Sequence, residues 1–334
     1  MLKKLIKALL VAAMPAAVSS CIHDSMDNCG VYLEFIYDHN MEYADSFDPH
    51  VGVVDAFVFD SEGKYLFFKQ AMRDELVGGK RMLLDEDLSE GVYKILTLGG
   101  LCDKFLLSDA GGNAMRPGET TLEEVKLALV RESGVVDHQF PALWMGETVV
   151  VNYRPERRVW PVHMVKNTNN FNLVLTRIDQ GTRAPEPNVP YTFEIVTPEG
   201  AVYGFDNSPL VKETVVYKPH TLSTGTQSGA ISTGLVNTVR LFKDDDYDYR
   251  IIVRNANTLK VLWDYDLMDL LTQTKPNARP DETALPMQEY LDRQSEWTIV
   301  VLHKGGGTDE EYDAFVAVSV EINGWVIWLQ NVDM

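Results

Sequence analysis

Short runs of alternating apolar and polar residues, each bounded by a turn signal, recur along most of the chain and confine it to a mainly β fold. Successive side chains of a strand point to opposite faces, so each run buries one face and leaves the other wet. In the first half the alternation predicts strands over 31–37, 51–60, 64–69, 91–98 and 148–153. Asp48-Pro49, Ser61-Glu62-Gly63, Ser89-Glu90-Gly91 and Gly99-Gly100 punctuate them. One stretch departs from the pattern. Over 121–130, Leu122, Val125, Leu129 and Val130 fall at helical spacing behind a cap at Thr120 or Thr121, with Glu123 and Glu124 in the first turn. It predicts a helix inserted into a β-sandwich.

A second series follows the basic, proline-bearing stretch 154–158. Strands are expected over 159–166, 171–178, 191–197, 213–217, 237–243, 248–254 and 259–264, then short helices near 267–273 and 286–293. The chain returns to strand over 297–303, 315–322 and 325–330. Asn323-Gly324 between the last two marks a hairpin, because a type I′ turn needs positive φ at both central residues. The pattern divides the chain into an N-terminal sandwich over 31–153 and a C-terminal sandwich over 154–334, with no repeat of short fixed period.

The first twenty-one residues address the chain. Lys3, Lys4 and Lys7 precede the apolar run 8–18, and Ser19 and Ser20 lead into Cys21. This is a secretory signal over 1–20 with a cysteine just beyond its cleavage site. Val18-Ser19-Ser20-Cys21 resembles the lipobox of bacterial lipoproteins, which implies acylation of Cys21. An apolar run of about eleven residues is too short to span a bilayer roughly 30 Å thick. The expected membrane contact is therefore lipid, with each buried CH₂ contributing about 0.8 kcal/mol. Residues 21–30 are short and polar and read as a tether.

Charge excludes one class of partner. The chain carries 30 Lys and Arg against 49 Asp and Glu, and loss of Lys3, Lys4 and Lys7 with the signal leaves 27 against 49, a formal charge of −22. Nucleic acid needs clustered cations, so it is not an expected partner, and the body of the protein is unsuited to lying on anionic lipid. Beyond Cys21, only Cys29 and Cys102 remain. In an oxidising compartment such a pair can bridge, closing a loop of about 73 residues and adding about 4 kcal/mol; separate buried thiols are the alternative.

No catalytic constellation is legible. His23, His39, His50, His138, His163, His220 and His303 form neither an i,i+4 pair nor a cysteine–histidine cluster, so no metal is expected. Gly225-Thr226-Gln227-Ser228-Gly229 lacks the strand-to-helix context of a nucleophile elbow and reads as a loop. Lys304-Gly305-Gly306-Gly307-Thr308 places lysine before the glycines and reads as a hairpin turn. Asp244-Asp245-Asp246 with Asp248 lacks calcium-loop spacing and reads as a solvated turn. Without a clustered aromatic and polar motif, most of the six tryptophans read as core.

Three segments in order carry a family likeness: the lipobox with 21–29 (CIHDSMDNC), 290–299 (YLDRQSEWTI) and 320–325 (VEINGW). Together they resemble the FimB-type family of Bacteroidetes fimbrial anchor lipoproteins, from signal to last strand. The resemblance implies two tandem transthyretin-like or immunoglobulin-like β-sandwiches with a few short helices, and a role without catalysis. It further implies an outer-membrane lipoprotein, with no cofactor beyond the lipid on Cys21. Such an anchor would attach the fimbrial base to the membrane and pair by a β-strand with a shaft or accessory subunit. The alternatives are a tip or accessory adhesin and a glycan-binding surface lipoprotein. The C-terminal hairpin, with Trp325 and Trp328, is the candidate partner-contact strand; a core role is the competing reading of its alternating valines.

Overall fold

The computed structural model describes residues 30–84, 88–154, 157–177, 191–224, 230–304, 314–322 and 325–330. Strands dominate. The first eleven are β1 (Gly30–Ile36), β2 (Val53–Phe59), β3 (Tyr65–Met72), β4 (Arg81–Leu83), β5 (Gly91–Gly99), β6 (Phe105–Ser108), β7 (Lys126–Leu129), β8 (Val135–Val136), β9 (Trp144–Gly146), β10 (Val149–Tyr153) and β11 (Arg157–Lys166). The others are β12 (Thr168–Arg177), β13 (Tyr191–Thr197), β14 (Val202–Tyr203), β15 (Val215–Tyr217), β16 (Thr221–Thr224), β17 (Ala230–Val239), β18 (Arg250–Asn255), β19 (Val261–Asp266), β20 (Glu296–Lys304), β21 (Ala314–Ile322) and β22 (Trp325–Gln330). Three short helices, α1 (Phe47–His50), α2 (Leu267–Gln273) and α3 (Met287–Arg293), accompany them. The last two match the sequence expectation.

An eight-stranded sheet in the order β3-β2-β5-β9-β11-β1-β4, with β10 also on β5, forms the first half. It folds over on itself, so that Val31, Leu33 and Phe35 of β1 and Val162 and Met164 of β11 share a core with Val54, Ala56 and Val58 of β2 and Val151 of β10. β1 is an interior strand, parallel to β11 over its whole length and antiparallel to β4. In the second half, a six-stranded sheet (β16-β17-β12-β20-β21-β22) faces a five-stranded one (β19-β18-β13-β15-β8). Phe171, Leu173, Trp297 and Ile299 meet Phe193, Ile195, Ile251 and Trp263 between them. The same apolar cluster continues through Leu127, Leu129, Phe140 and Leu143 to Phe57, Leu96 and Leu98 on the first sheet.

The helix expected over 121–130 does not form. Glu124 Oε2 accepts from Thr121 N (2.9 Å), the start of a helical cap. Only a 3₁₀ turn, Leu122–Glu124, follows before the chain extends into β7 between β6 and β14. Val125, Leu127 and Leu129 are all buried, a period of two that the helical reading of Leu122, Val125 and Leu129 overlooked. Pairing on both edges outweighs the local preference. The strand expected over 237–243 lies earlier, at β17, whose Gly234 hid it. A Cβ there would stand 2.7 Å from Phe193, so the glycine is what lets the two sheets close. The change of sheet also falls later than the expected 153–154 boundary, since β11 belongs to the first sheet and the chain passes into β12 at Asn167.

Polar contacts around α3 fasten the halves together. Asp292 accepts two hydrogen bonds from Arg240, from Nε to Oδ1 (2.6 Å) and from Nη2 to Oδ2 (2.8 Å), in a setting where the two side chains are 8 % and 13 % exposed. Gln288 Nε2 donates to the same carboxylate (2.9 Å). Arg240 Nη1 reaches Asn207 O (2.9 Å), and the amides of Asn207 and Asn167 bond each other at the crossover. One turn along, Arg293 donates Nη1 to Asp38 O (2.8 Å) and Asn40 O (3.1 Å), just beyond β1, while its guanidinium lies 4.4 Å from the Tyr43 ring. Glu289 accepts from Arg279 Nε and Arg293 Nε (both 2.8 Å); these two guanidiniums, Arg279 foremost, hold its pKa down to about 2.

A second polar group lies deeper. Glu199, in the turn after β13, is fully buried, and neither carboxylate oxygen has an aligned hydrogen bond among the described residues. Burial pushes its pKa up to about 7, against the pull of neighbouring Tyr249 and Thr197. Buried tyrosines 203 and 217 complete the setting.

Two outcomes follow from these contacts. Asp292→Ala strands a buried guanidinium and should lower unfolding free energy by about 3 kcal/mol in urea titrations; the Arg240→Ala/Asp292→Ala pair should recover part of that loss. For Glu199, the folded pKa lies above the ordinary 4.5. Its contribution is therefore fully present below pH 4.5 and lost as pH rises to about 7. The loss amounts to roughly 3 kcal/mol. Glu199→Gln should flatten that part of the pH profile, read as the difference between variant and parent melting curves.

Candidate functional site

The residues singled out by sequence separate in space and in visibility. Cys21 and Cys29 lie outside the described residues. Cys102 sits half-buried in the turn before β6, packed against the main core, with its carbonyl accepting from Phe105 N (3.0 Å). Trp325 and Trp328 belong to β22, the last strand on one side of the six-stranded sheet, where they pair with Ile322 and Ser319 of β21. The C-terminal hairpin thus presents a sheet edge, the element that a partner strand would need.

Sheet edges differ in how they are protected. Free edges template further pairing, and folded proteins blunt them with charge, proline or brevity. Lys69 marks the β3 edge, Arg81 the β4 edge, and Asp264 and Asp266 the β19 edge. At the side opposite β22, β16 reads Thr-Leu-Ser-Thr, and all four residues are exposed. β16 thus combines an uncharged sequence with exposure of every residue.

Two clefts interrupt the surface. One, of about 470 Å³, lies at the junction between β9, β11 and the Phe205–Asn207 turn, and is lined by His39, Glu147, His163, Asp206 and Arg240. Burial and then the Arg293 charge hold the His39 pKa below its usual value. The other, of about 370 Å³, lies on the outer face of the six-stranded sheet among Asn170, Asn172, Asn237, Glu296 and Thr298. These amides carried no motif in the sequence. The signal for them was their residue type, since asparagine is depleted in strands.

The acidic run 244–248 behaves as a turn: Asp246 N donates to Asp244 Oδ1 (2.9 Å), Lys243 pairs with Asp245, and Arg250 lies 3.8 Å from Asp248. Among the described residues no group of three or more His, Cys, Asp or Glu side chains is arranged to hold a metal ion. No described helix is long and apolar enough to cross a membrane. The segment 290–299, which carried part of the family likeness, supplies Asp292 and Arg293 to the inter-half network and Trp297 to the core. Its role in the fold is architectural.

Known structures repeat this arrangement. A candidate adhesin from Bacteroides ovatus is 42 % identical, with 93 % of this chain and 99 % of that one covered and a TM-score of 0.82. A candidate polysaccharide-binding protein from Bacteroides thetaiotaomicron is 28 % identical, covering 92 % and 100 %, with a TM-score of 0.75. The fimbrial anchor protein Mfa2 from Porphyromonas gingivalis shares the fold at 18 % identity, covering 89 % and 98 %, with a TM-score of 0.64. No curated sequence matches the chain. The model of one family spans residues 26–331, through both halves to the last strand, and the chain belongs to that family, the fimbrillin-A associated anchor proteins Mfa1 and Mfa2.

Proposed function

We propose that the protein is an outer-membrane lipoprotein that holds the base of a fimbrium, tethered by lipid on Cys21 and joined to a fimbrial subunit by β-strand pairing. The observation that carries this reading is the conjunction of an anchor-family match over 26–331 with the lipobox-like Val18-Ser19-Ser20-Cys21 ahead of it. The position of β1 supports it. The tether leads directly into a strand held between β11 and β4, whose Val31, Leu33 and Phe35 are fully buried. A pull on the lipid end would load the parallel β1–β11 ladder along its length. The shaft or accessory subunit would pair with an edge of the six-stranded sheet, at β22 or at β16, where backbone groups are free to extend the ladder. A Cys29–Cys102 bridge would add a covalent staple between tether and body.

The identity to a candidate adhesin favours one second reading, an adhesive accessory subunit of the same fimbrium. The two are separable. For an anchor, Cys21→Ala should release assembled fimbriae into the medium at unchanged subunit levels, and immunogold should label the cell-proximal end. Fimbriae that stay cell-bound in the variant would defeat the anchor reading, and label at the distal tip would establish the second.

A further inference from the structure

Between β5 and β9 the chain leaves the first sheet, and it rejoins that sheet only at Trp144. On the way it lays a strap across the second half. β7 pairs with β14, Leu127 opposite Tyr203 and Ala128 opposite Val202, while β8 runs parallel to β15, with Val136 beside Tyr217. Gly134 O and Val136 O accept from Val216 N (2.9 Å) and Lys218 N (2.8 Å).

The turn that carries Glu199 touches both attachments. Ala201 O accepts from Leu129 N (3.0 Å) of the strap, and Gly200 N donates to Glu213 O (2.8 Å), whose side chain accepts from Arg131 Nη2 (2.9 Å) of the strap. Gly200 and Ala201 are both left-handed, at φ 62° and 52°. For alanine that conformation is costly and persists only where surrounding bonds hold it.

Beneath the turn lies a closed polar cluster. Both Glu199 oxygens, Thr197 Oγ1 and Tyr217 OH are buried without an aligned hydrogen bond among the described residues. The titratable groups facing the carboxylate are Tyr203 of β14, Tyr217 of β15, and Tyr247 and Tyr249 ahead of β18. Burial raises the pKa of all four, so they stay uncharged where Glu199 titrates. Of the charged groups beyond them, Arg131 is bound to Glu213 and Arg240 to Asp292, while Lys212 and Asp244 lie beside Tyr247 at the surface. A charge formed on Glu199 must therefore draw in water. Both strands that hold the strap present a tyrosine to that carboxylate.

We propose that the strap opens as Glu199 gives up its proton to solvent: the neutral acid keeps turn 198–201 closed against β7 and β8, and the ionised one hydrates by lifting the turn and releasing them. Opening uncovers the edges of β14 and β15 that β7 and β8 occupy, together with the buried Leu127 and Leu129. Edges of this kind template further strand pairing. With the strap open Glu199 has the ordinary pKa of 4.5, and with it closed a pKa of about 7. Opening therefore gains about tenfold for each pH unit between the two and levels off above. This device goes beyond the anchoring role and does not depend on it.

Hydrogen–deuterium exchange of the full chain in detergent, corrected for the intrinsic pH dependence of amide exchange, reads the opening directly. From about pH 5 to about pH 7, peptides carrying Leu129, Val216 and Lys218 should lose protection about a hundredfold, and they should be less protected than β1 and β20 throughout. Glu199→Gln should remove that pH dependence. Glu199→Met, which brings no amide to satisfy, should do the same and serves if the glutamine variant does not fold. A flat profile in the parent, an unchanged slope in either folded variant, or strap amides as protected as those of β1 and β20 at about pH 7 would overturn the proposal. None of these outcomes bears on release of fimbriae by Cys21→Ala, so the two readings fail independently.

Discussion

Asp292 and Arg240 bond each other through two parallel contacts in a site with little access to water, and so fix α3, the helix that reaches the first half through Arg293, against the end of β17. Desolvating two charges is expensive, and the Coulombic return offsets it only when geometry is close and the remaining polar atoms are satisfied. Here they are: Gln288 takes up the carboxylate and Asn207 O the guanidinium. The pair gives orientation more than net stability. An apolar cluster already runs from the first sheet to the second sandwich, and such a cluster alone would tolerate sliding. Directional bonds fix α3 on its own half at Arg240, and those from Arg293 to the loop after β1 set one relative placement of the halves.

That placement would suit the proposed loading at the N-terminus. Tension entering at Gly30 acts on β1, and β1 is neither a terminal flap nor an edge. The loop immediately after it is held by Arg293, so the tether's strand and the inter-half network are mechanically in series. Arg293 is in turn positioned by Glu289, whose low pKa keeps the network charged across the whole range in which a surface protein works. The buried Glu199 contrasts with it. Burial raises its pKa to about 7, so it is a buried acid whose charge is set by pH within the ordinary range.

Much of this architecture was legible from alternation, since long strands such as β12, β13 and β20 have enough residues for the period to show. Most elements of two to four residues were not, β15 within the expected 213–217 being an exception. β4, β8, β9 and β14 exist because longer neighbours offer them a ladder, and no local pattern in Arg81–Leu83 or Val202–Tyr203 announces that. At 121–130 two periods coexisted: Leu122, Val125 and Leu129 fit a helix, Val125, Leu127 and Leu129 a strand, and long-range pairing decided. The segment 290–299 was legible only as likeness. Its Asp292 and Arg293 look like ordinary helix-surface charges until Arg240 and the carbonyls of Asp38 and Asn40, distant in sequence, are brought to them.

The six-stranded sheet separates demands that a surface subunit must meet together. Its inner face carries stability, through Phe171, Leu173 and Trp297. Because β12 and β20 are paired on both sides, their ladder is complete without help from outward side chains, and that face is free to hold amides where a purely structural sheet would place valine or threonine. The edges are a third resource, with β16 uncharged and exposed on one side and β22 ending the sheet on the other. A strand added at either edge extends the backbone ladder without crossing the amide rows, which lie over the interior strands. The proposed strand pairing at an edge would therefore engage backbone groups alone and leave the side chains of both faces as they are.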